Sequence, residues 1–250
     1  MSAQLSVNLN KVALVRNSRG RGVPDLCDAV DTVLAAGAHG ITLHPRLDQR
    51  HVRFDDVPRV AQHLRAAHPG VELNIECEDA PSLLDLVLRV APEQCTLVPV
   101  SPGEVTSDHG WNLPPDRVRL TRAVSRLRDA GIRTSCFADC DPDGVAAFAD
   151  VGVDRLELYT GPYAWAWGGP DQRAQTDLVH RTAARATDVG IALNAGHDLD
   201  RHNLLGLVGL PGLREVSIGH ALITRALDVG LATAVQELLA ALKPPPSPAP

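Results

Sequence analysis

Among the ten histidines of this 250-residue chain, His44, His197 and His220 stand at the ends of short apolar runs. Glu76 closes another such run, Glu157 lies inside one, and Asn8, Asn10 and Asp139 mark the ends of others. Imidazole and carboxyl groups can exchange protons near neutral pH, and apolar surroundings raise a carboxyl's pKa into that range. The set therefore suits general acid–base chemistry, provided that the run ends converge in space. His39, His63, His68, His109, His180 and His202 fall on helical segments, junctions or loops, where surface solvation is the ordinary role.

A second group suits anions. Arginines cluster in RNSRGRG (16–22) and in PRLDQRH (45–51), and a guanidinium clamps phosphate oxygens in bidentate fashion. In SIGHALITRAL (217–227), Gly219 precedes His220 where a helix is expected to begin, the usual geometry for backbone N–H groups to approach an anion. Compact metal-ligand motifs of the HxH or HExxH type are missing from the sequence. His44 and His51 are interleaved with Arg46 and Arg50, which favours an anion over a cation there. No metal site is expected.

These residues need a scaffold that brings distant run ends together. The apolar runs are 5–10, 40–44, 71–76, 95–99, 133–139, 155–161, 191–197 and 215–220, each short enough to be a buried strand. Amphipathic segments separate them, at 25–37, 56–70, 81–92, 117–131, 143–152, 176–190, 203–210 and 220–243. A Gly just before the next strand recurs in AAGAHGITL, RDAGIRTSC, ADVGVDRLEL and TDVGIALN, as at the helix-to-strand junctions of parallel sheets. Eight alternations predict an α/β fold, a (β/α)8 TIM barrel, with an open doubly wound sheet as the alternative. In a barrel every strand's C-terminal end opens on one face, which would gather these groups. With aromatic content of only 3%, the core must be filled by Leu, Val, Ile and Ala, the residues that the layered interior of a parallel barrel prefers. Long loops at 99–117, which holds Thr106, and at 159–175 are candidates to cover the site.

Residues 1–242 are read as one domain and 243–250 (KPPPSPAP) as a disordered tail. A net charge of −6 argues against nucleic acid as a partner. The sequence has no uninterrupted apolar stretch of membrane-spanning length, and five scattered cysteines without a CxxC pair suggest reduced thiols and a cytoplasmic location.

The segments VNLNKVALVRNSRG (7–20), AGAHGITLHPRLDQRH (36–51), LNIE (73–76), LVP with EVTSDHG (97–110), ELYTGPYA (157–164), LNAGHDL (193–199) and EVSIGHALI (215–223) resemble the pyridoxine 5′-phosphate synthase family. The resemblance runs through the chain from the first strand to the last unit. It implies a TIM barrel with a few extra helices, assembled as a homo-octamer and needing neither metal nor organic cofactor. The implied reaction joins 3-amino-2-oxopropyl phosphate to 1-deoxy-D-xylulose 5-phosphate, giving pyridoxine 5′-phosphate, phosphate and water. By motif position, His44 and Glu76 correspond to proton acceptors, His197 to the proton donor and Glu157 to the glutamate supporting charged intermediates. Asn8, Arg19, Gly219 and His220 correspond to contacts with the aminoacetone phosphate; Arg46, His51 and Thr106 correspond to contacts with the deoxyxylulose phosphate. Many members carry Asp-His where this chain has Asn10-Lys11, and Gly where it has Asp198; all three positions are counted as substrate contacts. The alternatives are another phosphosugar isomerase or aldolase, for which Lys11 would be the Schiff-base candidate, and a non-catalytic sensor of phosphorylated ligands.

Overall fold

A computed structural model describes residues 3–101, 103–104, 106–113 and 115–244. The proline-rich end of the expected tail, 245–250, lies outside them. Each expected strand forms: β1 (Gln4–Asn8), β2 (Gly40–Leu43), β3 (Glu72–Cys77), β4 (Gln94–Leu97), β5 (Arg133–Ala138), β6 (Arg155–Tyr159), β7 (Ala192–Gly196) and β8 (Leu213–Ile218). All neighbours pair in parallel and β1 pairs with β8, so the sheet closes in the order β1 to β8 and the open-sheet alternative is excluded. Gly131, Gly152 and Gly190 take φ values of 74°, 83° and 78° between helix and strand, a left-handed turn that a side chain would strain.

Four helical features depart from the sequence pattern. Residues 10–17, expected as a strand end followed by a basic loop, form helix α1 (Asn10–Asn17). The apolar run LSVNLN continues into NKVALVRN without a break, so periodicity alone does not locate the switch. Helices α2 (Leu26–Ala35), α3 (Asp56–Ala67), α4 (Pro81–Val90), α5 (Arg117–Asp129) and α6 (Val145–Val151) follow in turn. Inside the expected 159–175 loop sits α7 (Gly161–Ala166), followed by α8 (Gln172–Asp188). The final amphipathic segment is two helices, α9 (His220–Val229) and α10 (Leu231–Ala241), parted at Gly230 with φ 84°. Residues 203–207 form a 3-10 turn where a helix was expected.

The core is filled mainly by Leu, Val, Ile and Ala, as expected, but it lies between the strands and the helices and not inside the barrel. Both faces of the strands are buried, but the apolar face points outward: Leu5, Val7, Ile41, Leu43, Ile75, Leu97, Leu156, Leu158, Leu193 and Val216 pack in one core with helical Val30, Val60, Leu83, Leu127 and Val179. The alternate residues line a polar lumen. Thr96 on β4 lies 3.4 Å from Glu157 on β6, and Asn8 on β1 lies 3.3 Å from Glu76 on β3, contacts that skip a strand and so cross the interior. Toward the opposite end, Arg133 pairs with Glu72 and Gln94, and Arg155 with Asn194 and more distantly with Glu215. Since successive side chains on a strand face opposite ways, ELNIEC, QCTL and RLELY each supply one apolar and one polar row.

Candidate active site

At the C-terminal mouth, Glu76 is the hub of the first half of the site. It is 8% exposed and accepts from Asn8 Nδ2 at 3.3 and 3.5 Å, while His44 Nδ1 lies 3.2 Å from Oε2. Asn8 Oδ1 accepts from the Asn10 backbone N–H (3.0 Å), and Asn10 Oδ1 accepts from the His44 backbone N–H (2.9 Å). The start of α1 therefore fixes both partners of Glu76, and Asn10 has a positioning job that its sequence position alone did not reveal. His44 Nε2 is buried and has no partner among the described residues. That is the arrangement of a base pair whose outer nitrogen is left for a ligand.

Glu157 lies below this pair, 3% exposed, with Thr96 as its hydrogen-bond donor. Burial first, then the charges of Glu76 and Glu215, push its carboxyl pKa well above the ordinary range. A buried carboxyl shifted in this direction favours its protonated form, which suits an acid or a support for charged intermediates. Gly196 lies opposite it, where an added Cβ would meet Glu157 Oε1 and force the carboxyl to shift.

The second half of the site is the end of β7. His197 and Asp198 take φ values of 84° and 57°. His197 Nε2 lies 3.3 Å from Thr106 Oγ1 in the loop after β4, and its ring meets that of Tyr159 edge-on at 5.0 Å. Nδ1 lies 3.3 Å from Asp198 Oδ2, and Trp165 Nε1 donates to the same oxygen at 2.7 Å.

The groups expected to hold anions lie around this centre, with one exception. Gly219 precedes α9 with its Cα against β1: a Cβ would sit 3.1 Å from both Cβ and O of Asn8. His220 is the first residue of α9 and is exposed. Arg46 is 5% exposed and pairs with Glu104 at 3.2 Å; Arg50 also reaches the Glu104 carbonyl at 3.1 Å. His51 is half-buried beside His44 (ring centroids 5.9 Å apart), and burial, then His44, Arg46 and Lys11, hold its pKa down at about 3. It is neutral at physiological pH and acts as a hydrogen-bonding group. Lys11, half-buried on α1, contributes positive potential to this corner. Arg19 is exposed in the turn after α1 and has no hydrogen bond or ion pair among the described residues. Arg16, from the same basic cluster, is not a phosphate group: it is buried against Asp56 and the His51 carbonyl, and with Asn17 it ties α1 to the loop after β2.

Sequence reasoning passed over Trp165, Tyr159, Thr96 and Glu104 as site residues. Glu104 lies two positions from Thr106, but its partner Arg46 is 58 residues away in the chain. The loop carrying it is anchored at its far end, where the Gly110 N–H donates to Asp139 (2.9 Å) and buried Trp111 donates to the Leu97 carbonyl (2.8 Å).

A closed eight-stranded barrel with imidazole, carboxyl and guanidinium groups gathered at its C-terminal mouth defines an acid–base enzyme of the TIM-barrel class. Residues 5–244 match the sequence model of the family described as pyridoxal phosphate biosynthesis protein PdxJ, and the chain belongs to that family. It is 48% identical over 245 residues to a pyridoxine 5′-phosphate synthase from Albidiferax ferrireducens, covering 96% of this chain and 97% of the relative. A pyridoxine 5′-phosphate synthase from Xanthomonas axonopodis pv. citri is 46% identical over 244 residues, covering 94% and 95% of the two chains. Among solved structures, the tryptophan synthase A-subunit of Pyrococcus furiosus superposes with a TM-score of 0.64 at 14% identity, covering 96% of this chain and 98% of that one. A 3-keto-L-gulonate-6-phosphate decarboxylase from Vibrio cholerae gives 0.62 at 11%, covering 97% and 98%. These last two likenesses concern the fold alone.

Proposed function

We propose that this chain is a pyridoxine 5′-phosphate synthase, condensing 3-amino-2-oxopropyl phosphate with 1-deoxy-D-xylulose 5-phosphate to pyridoxine 5′-phosphate, phosphate and water. The observation that carries the assignment of roles is the pairing of His44 with Glu76 near a buried Glu157 whose carboxyl pKa is pushed well above the ordinary range by burial and by Glu76. Addition of an amine to a ketone, loss of water, loss of phosphate and ring closure each require a proton to be taken from one atom and delivered to another. His44 and Glu76 act as acceptors, with His44 Nε2 facing the ligand. His197 acts as donor through Nε2, and Glu157 supports the cationic stages from within the lumen. Asn8, Arg19, Gly219 and His220 hold the aminoacetone phosphate; Arg46, His51 and Thr106 hold the deoxyxylulose phosphate. For Arg46 to do so, the incoming phosphate takes the place of the Glu104 carboxylate, coupling ligand entry to movement of the loop after β4. Lys11 adds positive potential, whereas Asn10 contributes through His44.

The catalyst is read as one domain over residues 1–242, acting without metal or organic cofactor, as a cytoplasmic homo-octamer. The family resemblance supports the assembly, and the five free cysteines support a reducing compartment. No helix among the described residues is long and apolar enough to cross a membrane. A Schiff-base aldolase is disfavoured because its lysine would have to be Lys11, which lies on α1 and not on a barrel strand.

Incubating the protein with both phosphorylated substrates and following pyridoxine 5′-phosphate tests the assignment; a folded protein that forms none refutes it. Glu76→Gln separates synthase from sensor: a synthase loses turnover but still binds phosphate ligands, whereas a sensor keeps its full function.

A further inference from the structure

The end of β7 is built with more support than a substrate contact requires. His197 and Asp198 are consecutive non-glycine residues in the left-handed region, a conformation that persists only where its surroundings enforce it. The enforcement is visible on both sides. Thr160 Oγ1 donates to the carbonyls of Gly196 (2.6 Å) and His197 (2.7 Å), and Asn203 Nδ2 donates to the carbonyl of Asp198 (3.0 Å). Asn203 is in turn held by Asp200, whose backbone N–H donates to Asn203 Oδ1 at 2.8 Å.

What this backbone presents is a chain of side chains. Trp165 is 65% exposed, an unusual position for an indole on a short helix, yet its N–H is committed to Asp198 Oδ2 at 2.7 Å. The same oxygen faces buried His197 Nδ1 at 3.3 Å, slightly long and off the ideal hydrogen-bond direction, as catalytic contacts often are before ligand binds. Tyr159 packs edge-on against both Trp165 (6.3 Å, 82°) and His197 (5.0 Å, 80°), so the imidazole cannot turn away without disturbing both rings. The other carboxylate near His197, Asp108, is engaged by His109 Nδ1 at 2.9 Å, and His220 on α9 is the neighbouring cation-forming group. Interaction with His197, helped by the Trp165 N–H, outweighs the opposing effect of burial and holds the Asp198 carboxyl below its ordinary pKa, so it stands as an anion.

We infer that Asp198, clamped by Trp165, is a positioning residue that holds a proton on His197 Nδ1, so that Nε2, which faces Thr106, is the nitrogen that takes up a proton and, as the imidazolium, delivers it at the barrel mouth. A carboxylate behind an imidazole selects the tautomer because only Nδ1–H can donate to it, and it stabilises the imidazolium formed in turnover. This replaces the expectation of Asp198 as a substrate contact, and it rests on the reading that His197 carries a proton in the reaction.

The test compares Asp198→Asn, Asp198→Glu, Trp165→Phe and His197→Asn in the full-length enzyme, with 15N-histidine NMR as a readout independent of turnover. In the unaltered enzyme the His197 resonances should show Nδ1 protonated and Nε2 bare; in Asp198→Asn the proton should move to Nε2 or divide between the two. Asp198→Asn should lower kcat about tenfold or more, with KM for both substrates held within about threefold. Asp198→Glu should restore part of the loss, and Trp165→Phe, which keeps the ring and deletes the N–H, should give a smaller fall in the same direction. A raised KM with unchanged kcat in Asp198→Asn would overturn positioning in favour of substrate contact. An unaltered tautomer with unaltered kcat in Asp198→Asn, alongside an inactive His197→Asn, overturns the positioning role alone. Full activity of His197→Asn removes the proton-transfer role itself, and the inference with it.

Discussion

Replacing Glu157 with Gln should make the protein more stable and less active, and the stability gain should depend on pH. The native carboxyl is held protonated far above its ordinary pKa of 4.5 by burial and by Glu76 and Glu215, whereas the unfolded chain releases that proton near 4.5. A group with a raised native pKa contributes stability that is full below the unfolded pKa and is lost as pH rises toward the native one. Within that window the native state loses at most about 1.4 kcal/mol per pH unit. Gln is close to a neutral Glu in shape and pays no such cost. Urea unfolding at pH 5, 6 and 7, at one protein concentration, should show the variant's advantage growing by about 1.4 kcal/mol per unit at most. Turnover should fall by about 100-fold or more with KM nearly constant, since an amide cannot release a proton or develop charge against a cationic intermediate. A stability difference that is flat between pH 5 and 7 would refute the buried-acid argument. A kcat within threefold of the unaltered enzyme would refute the supporting role.

Gly196→Ala should reproduce much of the catalytic loss without touching a ligand, because its Cβ displaces Glu157 Oε1; steady-state kinetics beside a loss of about 1–3 kcal/mol in urea unfolding would show it. Arg16→Met leaves Asp56 buried without its cation and should destabilise by about 3–5 kcal/mol in urea unfolding, while raising KM for the deoxyxylulose substrate through the loop that carries His51. His51, with its native pKa depressed to about 3 against an ordinary 6.5, contributes stability that is present above 6.5 and lost as pH falls through that window. His51→Gln should therefore flatten the acid side of the stability profile between pH 6.5 and 4; a profile parallel to that of the unaltered protein would contradict this.

Local pattern determined a great deal about this protein. Strand and helix alternation, with glycine at the junctions, is a short-range code, and the closed order β1 to β8 follows from it once all eight units are counted. The convergence of Asn8, His44, Glu76, Glu157, His197 and Gly219 was legible for the same reason: parallel strands in one barrel put their C-terminal ends on one face. Folding decided what depends on partners distant in sequence. Whether LSVNLNKVALVRN stays extended is settled by Asn8 and Asn10 bonding into Glu76 and His44, more than thirty residues away, which turns residues 10–17 into α1. Arg16 looked like an anion ligand until Asp56 claimed it. The alternating rows of ELNIEC and RLELY leave open which face turns inward, and only closure of the barrel sent the polar row to the lumen, where Glu76 and Glu215 can raise the Glu157 pKa. Likewise the sequence placed an imidazole at the end of β7, but an indole from α7 and the left-handed turn at Asp198 determine which of its nitrogens faces the carboxylate. Composition and periodicity carry information about a residue's own backbone and face, whereas protonation and orientation are properties of the neighbours that tertiary structure brings to it.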